Sequence, residues 1–309
     1  MKRKLVIIAG PTASGKTAVS IEMAKRINGE IISADSMQIY KYMDIGSAKV
    51  TEVEKQGITH YLVDELEPSE RFSVTKFQSM AKDAMEKIYS KGKIPIIVGG
   101  TGFYIQSIVK DIDFSITDEE EKARASVEKF YLDEGKEALH LWLMSIDERA
   151  GQKIHANNLK RVKRAIEYYL LTGEKISDHN DSEKDKESPY DVSYFVLTME
   201  RELLYHRINK RVDAMMDTGL VQEVEKLKEM GYKKEMTAMQ GLGYKEIFDY
   251  LDSASTLSEA EYIIKRDTRH FAKRQLTWFR REKKIKWLHV DHFGFDINKI
   301  CDEIIKNMN

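Results

Sequence analysis

Cysteine is nearly absent. Cys301 stands alone among 309 residues, which rules out an internal disulfide and a cysteine zinc site and leaves a packed, inert thiol as its expected state. An excess of charge is missing too. Lys and Arg number 50 against 51 Asp and Glu, a net charge of -1, so a nucleic-acid partner could be held only by local basic patches. No stretch reaches the roughly 18 apolar residues of a membrane helix, which excludes that kind of membrane span and reads as a soluble, cytoplasmic chain. The short apolar run Met1–Gly10, flanked by Lys2, Arg3 and Lys4, looks at first like a signal peptide, yet it passes straight into a glycine loop with no small-residue cleavage site. A core strand is the better reading. Self-similarity at periods of 20 to 50 residues is also lacking, so solenoids and propellers are excluded. Nothing calls for an oligomer, and the chain is read as a monomer.

What is present is 42% apolar content, enough for a substantial core and a smaller second one. Apolar runs bounded by turn signals occur at Leu5–Ala9, Glu30–Ser33, His60–Val63, Pro95–Val98, Tyr194–Leu197 and Ile285–Val290. Over the first hundred residues they alternate with helical patterns. That alternation predicts an α/β fold, a parallel sheet flanked by helices, with ligands at the carboxyl ends of the strands. Between about Ser115 and Pro189 the strand signal gives way to charged helical sequence and a polar run, Ser177–Ser188, expected as a mobile loop. Residues 1–114 and 190–309 therefore read as a core interrupted by a helical insertion, 115–189. Helical periodicity resumes through Glu200–Met230 and Ser258–Lys283.

Gly10-Pro11-Thr12-Ala13-Ser14-Gly15-Lys16-Thr17 fits the phosphate-loop pattern, after an expected strand and before an expected helix. Glycines let the backbone N–H groups converge on phosphate oxygens, Lys16 adds a point charge, and the Thr17 hydroxyl can ligate Mg²⁺. The loop alone does not reveal whether the phosphates belong to ATP. A nucleotide hydrolase would carry a second acid at a strand end. Asp64-Glu65 after His60–Val63 could serve, or could be two solvated carboxylates, whereas Ile94–Val98 ends in Gly99-Gly100-Thr101-Gly102 with no carboxylate. Asp35, just past the second strand, could face a substrate or cap the next helix.

Five separated blocks, Gly10–Thr17, Asp35-Ser36-Met37-Gln38, Gly99–Tyr104, Gly241–Glu246 and Phe271-Ala272-Lys273-Arg274-Gln275, together resemble the bacterial-type tRNA dimethylallyltransferase family, in its order and over nearly the whole chain. The resemblance implies a phosphate-loop NTPase-like sheet with a tRNA-binding helical insertion, dimethylallyl pyrophosphate on the phosphate loop with Mg²⁺ on Thr17, and as acceptor the N6 amine of the adenine 3′ of the anticodon in the tRNA stem-loop. By the same carry-over Asp35 is the general base, Lys16, Thr17 and Arg211 bind the pyrophosphate, and Ser36, Met37, Gln38 and Thr101 meet the target nucleotide. Because a carboxylate near a phosphate loop cannot reach a stacked base, base flipping is implied as well. Arg124, Lys160, Arg161, Arg164, Lys273 and Arg274 are the expected tRNA contacts.

Helical spacing puts Leu159, Val162 and Ile166 on one face and Lys160, Arg161 and Arg164 on the other, a pattern shared by RNA-tracking and merely solvated faces. Arg266–Lys284 holds a net excess of six positive charges, interrupted by Trp278 and Phe279, whose ordinary reading is core packing. The chain has His155-Ala156-Asn157-Asn158 where the family often has His-Pro-Asn-Asp. A phosphate-loop small-molecule kinase, an adenylate isopentenyltransferase and a non-catalytic nucleotide switch remain as alternatives. Tight ATP or GTP binding without prenyl transfer would mark the last.

Overall fold

The computed structural model describes residues 2–114, 119–184, 186–282 and 284–308. Ser115, at the expected domain boundary, and Lys283, in the C-terminal basic stretch, lie outside the described residues. The chain divides into two compact units, 1–111 with 188–309, and 112–187.

In chain order the larger unit runs β1 (Arg3–Ala9), α1 (Lys16–Arg26), β2 (Gly29–Ser33), α2 (Glu52–Lys55), β3 (His60–Tyr61), α3 (Val74–Ser90), β4 (Ile94–Gly99) and α4 (Gly102–Val109). The smaller unit supplies α5 (Glu119–Ile146), α6 (Glu148–Lys153), α7 (Leu159–Thr172) and α8 (Ile176–Lys184). The larger then resumes with β5 (Tyr190–Thr198), α9 (Arg201–Thr218), α10 (Leu220–Glu229), α11 (Tyr244–Leu251), α12 (Leu257–Phe279), β6 (Lys286–His289) and α13 (Ile297–Lys306).

The six strands form one sheet in the order β3-β2-β4-β1-β5-β6, every pairing parallel. Both faces are covered, which is why β1, β2 and β4 read as unbroken apolar runs rather than as alternation. Side chains still alternate in direction. Leu5, Ile7, Ile32, Ile97 and Val196 pack in one cluster with α3, α4 and α11, while Val6, Ile8, Ile31, Ile96 and Leu197 pack in the other with α1, α9 and α13. The Cys301 thiol sits in that second layer, where burial pushes its pKa up to about 11. It is packed, as expected.

Several local expectations are corrected. The strand at His60–Val63 stops at Tyr61, because Leu62 and Asp64 turn the chain with φ of 61° and 58°. Helical sequence over Glu200–Met230 is two helices, broken at Gly219, whose φ of 107° ends α9. The polar run expected as a mobile loop begins instead as helix, Ile176–Lys184. Its start is fixed from within the smaller unit, where the buried Asp147 carboxylate accepts from the Ser177 N–H at 2.9 Å, the Ser177 hydroxyl at 2.8 Å and the Ala150 N–H at 3.0 Å. Burial alone would raise the Asp147 pKa, but these donors hold it below the usual carboxylate range. The smaller unit has its own core, built on Val127, Leu139, Leu143, Val162 and Ile166.

Candidate active site at the carboxyl edge of the sheet

Parallel strands aim their carboxyl ends at one edge, so the loops after β1, β2 and β4 meet there. The loop after β1 is the phosphate loop. A Cβ on Gly10 would stand 2.6 Å from the Leu197 carbonyl oxygen of β5, so only glycine lets the loop leave the sheet at this point. Ala13, although not a glycine, adopts a φ of 63°, a strained conformation of the sort concentrated in ligand-binding loops. Lys16, opening α1, folds its ammonium back to donate to the carbonyls of Gly10 at 3.0 Å and Pro11 at 2.8 Å. The Ser14 hydroxyl is buried without a hydrogen-bond partner. Together with the first-turn N–H groups of α1, which have no intrahelical acceptor, these donors are of the kind that suits an anion.

Two more cations face this loop from α9. Arg207 Nε donates to the Ala13 carbonyl at 3.0 Å, and Arg211 Nη1 lies 3.4 Å from the Thr12 hydroxyl. Lys16, Arg207 and Arg211 thus direct their hydrogen bonds to neutral oxygens of the loop. Burial and crowding shift the pKa values of Lys16 and Arg211. Burial, and then the Arg211 charge, lower the Lys16 pKa to about 7, with Asp35 opposing them. Burial and Arg207 likewise lower that of Arg211, again against Asp35. Removing positive charge is favoured here until a polyanion arrives.

Asp35 follows β2. Its Oδ1 accepts the Met37 N–H at 2.9 Å, a local turn that leaves the carboxylate half-buried at the edge and near enough to influence both cations. Gln38 accepts from the Ser33 hydroxyl at 3.0 Å and donates to the Ala48 carbonyl at 3.3 Å, so its amide fastens the loop. Thr101 follows β4 and heads α4, its N–H bonded to the Ala34 carbonyl at 3.3 Å. The strand ends of β2 and β4 touch so closely that a Cβ on Gly99 would stand 2.2 Å from that same carbonyl oxygen.

Residues that local sequence patterns could not single out hold these loops together. Gln275, buried on α12, accepts the Thr12 N–H at 3.0 Å and donates to the Gly100 carbonyl at 3.1 Å. A Cβ on Gly100 would lie 2.0 Å from that Gln275 nitrogen, which accounts for the second glycine of the Gly99-Gly100 pair. Glu223 of α10 accepts the N–H groups of Asp44, Ile45 and Gly46 at 2.9, 2.7 and 3.0 Å and the Tyr244 hydroxyl at 2.7 Å. It pins the loop that begins at Asp35. The block Gly241–Glu246 therefore works in support, with Tyr244 on Glu223 and Gly241 against Met37.

The second-acid reading of Asp64 and Glu65 meets a different geometry. They lie beyond β3, at the outer end of the sheet, with β2 and β4 between that strand and β1. Asp64 pairs with the buried ammonium of Lys49, which also bonds Asp44 at 2.6 Å, and Glu65 accepts the Leu62 N–H at 2.7 Å. Both carboxylates fasten loops.

Of the expected RNA contacts, Arg124, Lys160 and Arg161 are exposed on α5 and α7, and Val162 and Ile166 are buried as the helical spacing implies. Arg164 is half-buried, 3.9 Å from Glu167. On α12, Lys273 and Arg274 are exposed, the latter 5.7 Å from the Phe271 ring centroid. Trp278 packs edge-on to Phe103 at 6.0 Å and closes against Gly102, while Phe279 is wholly buried, so both aromatics belong to the core.

Comparison with known proteins bears on the whole assembly. Residues 38–282 match the family model described as IPP transferase. The chain is 56% identical over 302 residues to the tRNA dimethylallyltransferase of Lachnoclostridium phytofermentans, covering 98% of this chain and 96% of that one. It is 53% identical over 304 residues to that of Acetivibrio thermocellus, with the same coverage. Among solved structures it resembles the full-length tRNA isopentenylpyrophosphate transferase of Bacillus halodurans, with a TM-score of 0.74, 44% identity and coverage of 99% of this chain and 97% of that one. A eukaryotic dimethylallyltransferase described as acting on tRNA superposes with a TM-score of 0.83 at 28% identity, covering 99% of this chain and 80% of that one. Matched by its family model over most of its length and by these relatives over nearly all of it, the chain belongs to the IPP transferase family.

Proposed function

We propose that this protein transfers the dimethylallyl group of dimethylallyl pyrophosphate to N6 of the adenine immediately 3′ of the anticodon in tRNA. The observation that carries the reading is the meeting, at one sheet edge, of a phosphate loop ringed by Lys16, Arg207 and Arg211 with the carboxylate of Asp35. Three cations around one loop suit a pyrophosphate ester, and guanidinium groups suit it in particular. A base placed beside them suits an acceptor that loses a proton as it attacks.

In the reaction N6 forms a bond to the first allyl carbon as that carbon's bond to pyrophosphate oxygen breaks. The amine lone pair is delocalised into the purine, so Asp35, taking the N–H proton, makes attack easier. Charge accumulates meanwhile on the departing oxygens, where Lys16, Arg211 and the N–H groups of Ala13, Gly15, Lys16 and Thr17 form a preorganised electrostatic cradle, the Thr12 and Ser14 N–H groups being engaged by Gln275 and the Pro11 carbonyl. The donors without acceptors, Ser14 above all, fit an oxyanion ligand, and the Thr17 hydroxyl offers one protein oxygen to a magnesium ion held otherwise by pyrophosphate and water. Such an ion would neutralise leaving-group charge.

Ser36, Met37, Gln38 and Thr101 would border the flipped adenine, Gln38 by shaping its loop rather than through a free amide. Arg124, Lys160, Arg161 and Arg164 on one unit, and Lys273 and Arg274 on the other, would hold phosphates of the anticodon stem-loop. Every group invoked lies on one chain, so a monomer suffices, and a tRNA substrate implies a cytoplasmic protein. No described helix is long and apolar enough to cross a membrane.

The test is incubation with Mg²⁺, unmodified tRNA and dimethylallyl pyrophosphate carrying a labelled prenyl group. Label should enter tRNA and be recovered as N6-dimethylallyladenosine. In a parallel incubation with AMP in place of tRNA, label on free adenylate would favour the adenylate isopentenyltransferase alternative, and tight ATP binding with no transfer would favour a switch.

A further inference from the structure

We propose that His289, Asp291 and His292 form a binding site for a divalent transition metal, zinc foremost, at the end of β6 and apart from the pyrophosphate cradle. Strand β6 ends at His289, and a single 3₁₀ turn, Val290–Phe293, follows. Val290 is buried and anchors that turn, which leaves His289 and His292 exposed on either side of Asp291. One potential ligand atom from each of the three residues lies within 4.8 Å of the others. The two imidazoles stack at a centroid separation of 4.8 Å and an interplanar angle of 18°. Metal bonds of about 2.0 to 2.1 Å in a tetrahedron put ligand atoms roughly 3.3 Å apart, so the two exposed rings must turn out of their stacked arrangement for their lone pairs to converge on one ion.

Asp291 is the second and independent observation. Its Oδ2 accepts the Glu200 N–H at 3.0 Å, but its Oδ1 is buried with no hydrogen-bond partner, and His289 Nδ1 is 3.9 Å away. A desolvated carboxylate oxygen without a donor is costly, and a cation between it and the imidazoles removes that cost. The hydrogen bond at Oδ2 meanwhile fixes the carboxylate's orientation, as outer partners of metal ligands commonly do. Two imidazoles and one carboxylate select zinc, cobalt, nickel or copper rather than magnesium, which prefers an all-oxygen octahedron. Three protein ligands leave a position for water.

The location gives the site a consequence. Glu200 is the N-cap of α9, the helix that carries Arg207 and Arg211. A metal on Asp291 would therefore fasten the start of the helix that supplies two of the three cations around the phosphate loop.

The experiment uses the full chain without an affinity tag, stripped of metal by chelation, titrated calorimetrically with Zn²⁺ and separately with Co²⁺ while visible absorption is recorded. The site predicts one Zn²⁺ per chain, retained in excess Mg²⁺, and cobalt absorption bands that the double variant His289→Ala/His292→Ala lacks. Each single variant should weaken zinc binding by about tenfold or more, with an unchanged metal-free thermal midpoint. Should the alanine variants fold poorly, His289→Gln and His292→Gln retain polarity and bulk and must show the same loss. Failure of the wild-type chain to take up stoichiometric zinc would overturn the proposal. So would wild-type affinity in a folded double variant, which would leave the three side chains as neighbours that hold no metal.

Discussion

Raising the pH from about 7 to about 9 should weaken donor binding about 50-fold, through a single lysine. In the free protein, burial and the nearby Arg211 hold the Lys16 pKa at about 7. Bound pyrophosphate supplies the counter-charge that the loop's neutral carbonyls do not, so the pKa in the complex rises well above that value. The sign follows. Above pH 7 the free lysine has lost its proton and must recover it to bind, so affinity falls by about tenfold per pH unit. The ester's own last proton leaves near pH 6 and does not intrude. Stability of the free protein should move the other way. The unfolded chain binds more protons between about 7 and the ordinary lysine value, so rising pH stabilises the fold across that window. Calorimetric titration of the donor at fixed Mg²⁺, in buffers of differing ionisation heat, reads proton uptake directly. At pH 8 uptake should be about 0.9 proton per site, and Lys16→Arg, which stays charged, should abolish both the uptake and the slope. Zero uptake by the wild-type chain at pH 8 would refute the reasoning.

Asp35→Asn should lower turnover by about 10² to 10⁴ while tRNA affinity holds, and near-normal turnover would remove Asp35 from the chemistry. Replacing Lys160, Arg161 and Arg164 together with Ala should weaken tRNA binding and flatten the plot of log Kd against log salt by about 0.7 to 0.9 for each phosphate no longer held, with donor binding intact. An unchanged slope would mark α7 as a solvated face. Gln275→Glu keeps an acceptor for the Thr12 N–H but loses the donor to Gly100, so donor KM and kcat should both suffer. If Gln275→Glu matched the wild type in both constants, the bridge would have no part in aligning the loops.

Much of the fold was legible because its signals are local. Leu5–Ala9 and Pro95–Val98 read as strands since a parallel sheet covered on both faces needs unbroken apolar runs. The phosphate loop was legible because its glycines answer to backbone geometry within eight residues. Other features depend on partners remote in sequence. Gln275 lies 263 residues from Thr12, and Glu223 lies 179 from Asp44, so no window of sequence discloses what either holds. Phe271–Gln275 and Gly241–Glu246 stood out as blocks, but the hydrogen bonds that give them work were not visible in their letters. Arg207 could have been noticed as the residue one helical turn before Arg211, on the same face. The helix at Ile176–Lys184 was missed because its start is set by Asp147, not by its own polar composition.

The central claim is transfer to one adenine by way of the site at the sheet edge, and it is tested most directly by mapping the product. Unmodified tRNA treated with the protein, Mg²⁺ and dimethylallyl pyrophosphate is cut with a base-specific ribonuclease, and the fragments are weighed by mass spectrometry. The account predicts a gain of one isoprene unit on the anticodon-loop fragment alone, and none in a tRNA whose adenine 3′ of the anticodon is replaced by guanine. A gain on other fragments, or its persistence after that replacement, would contradict it.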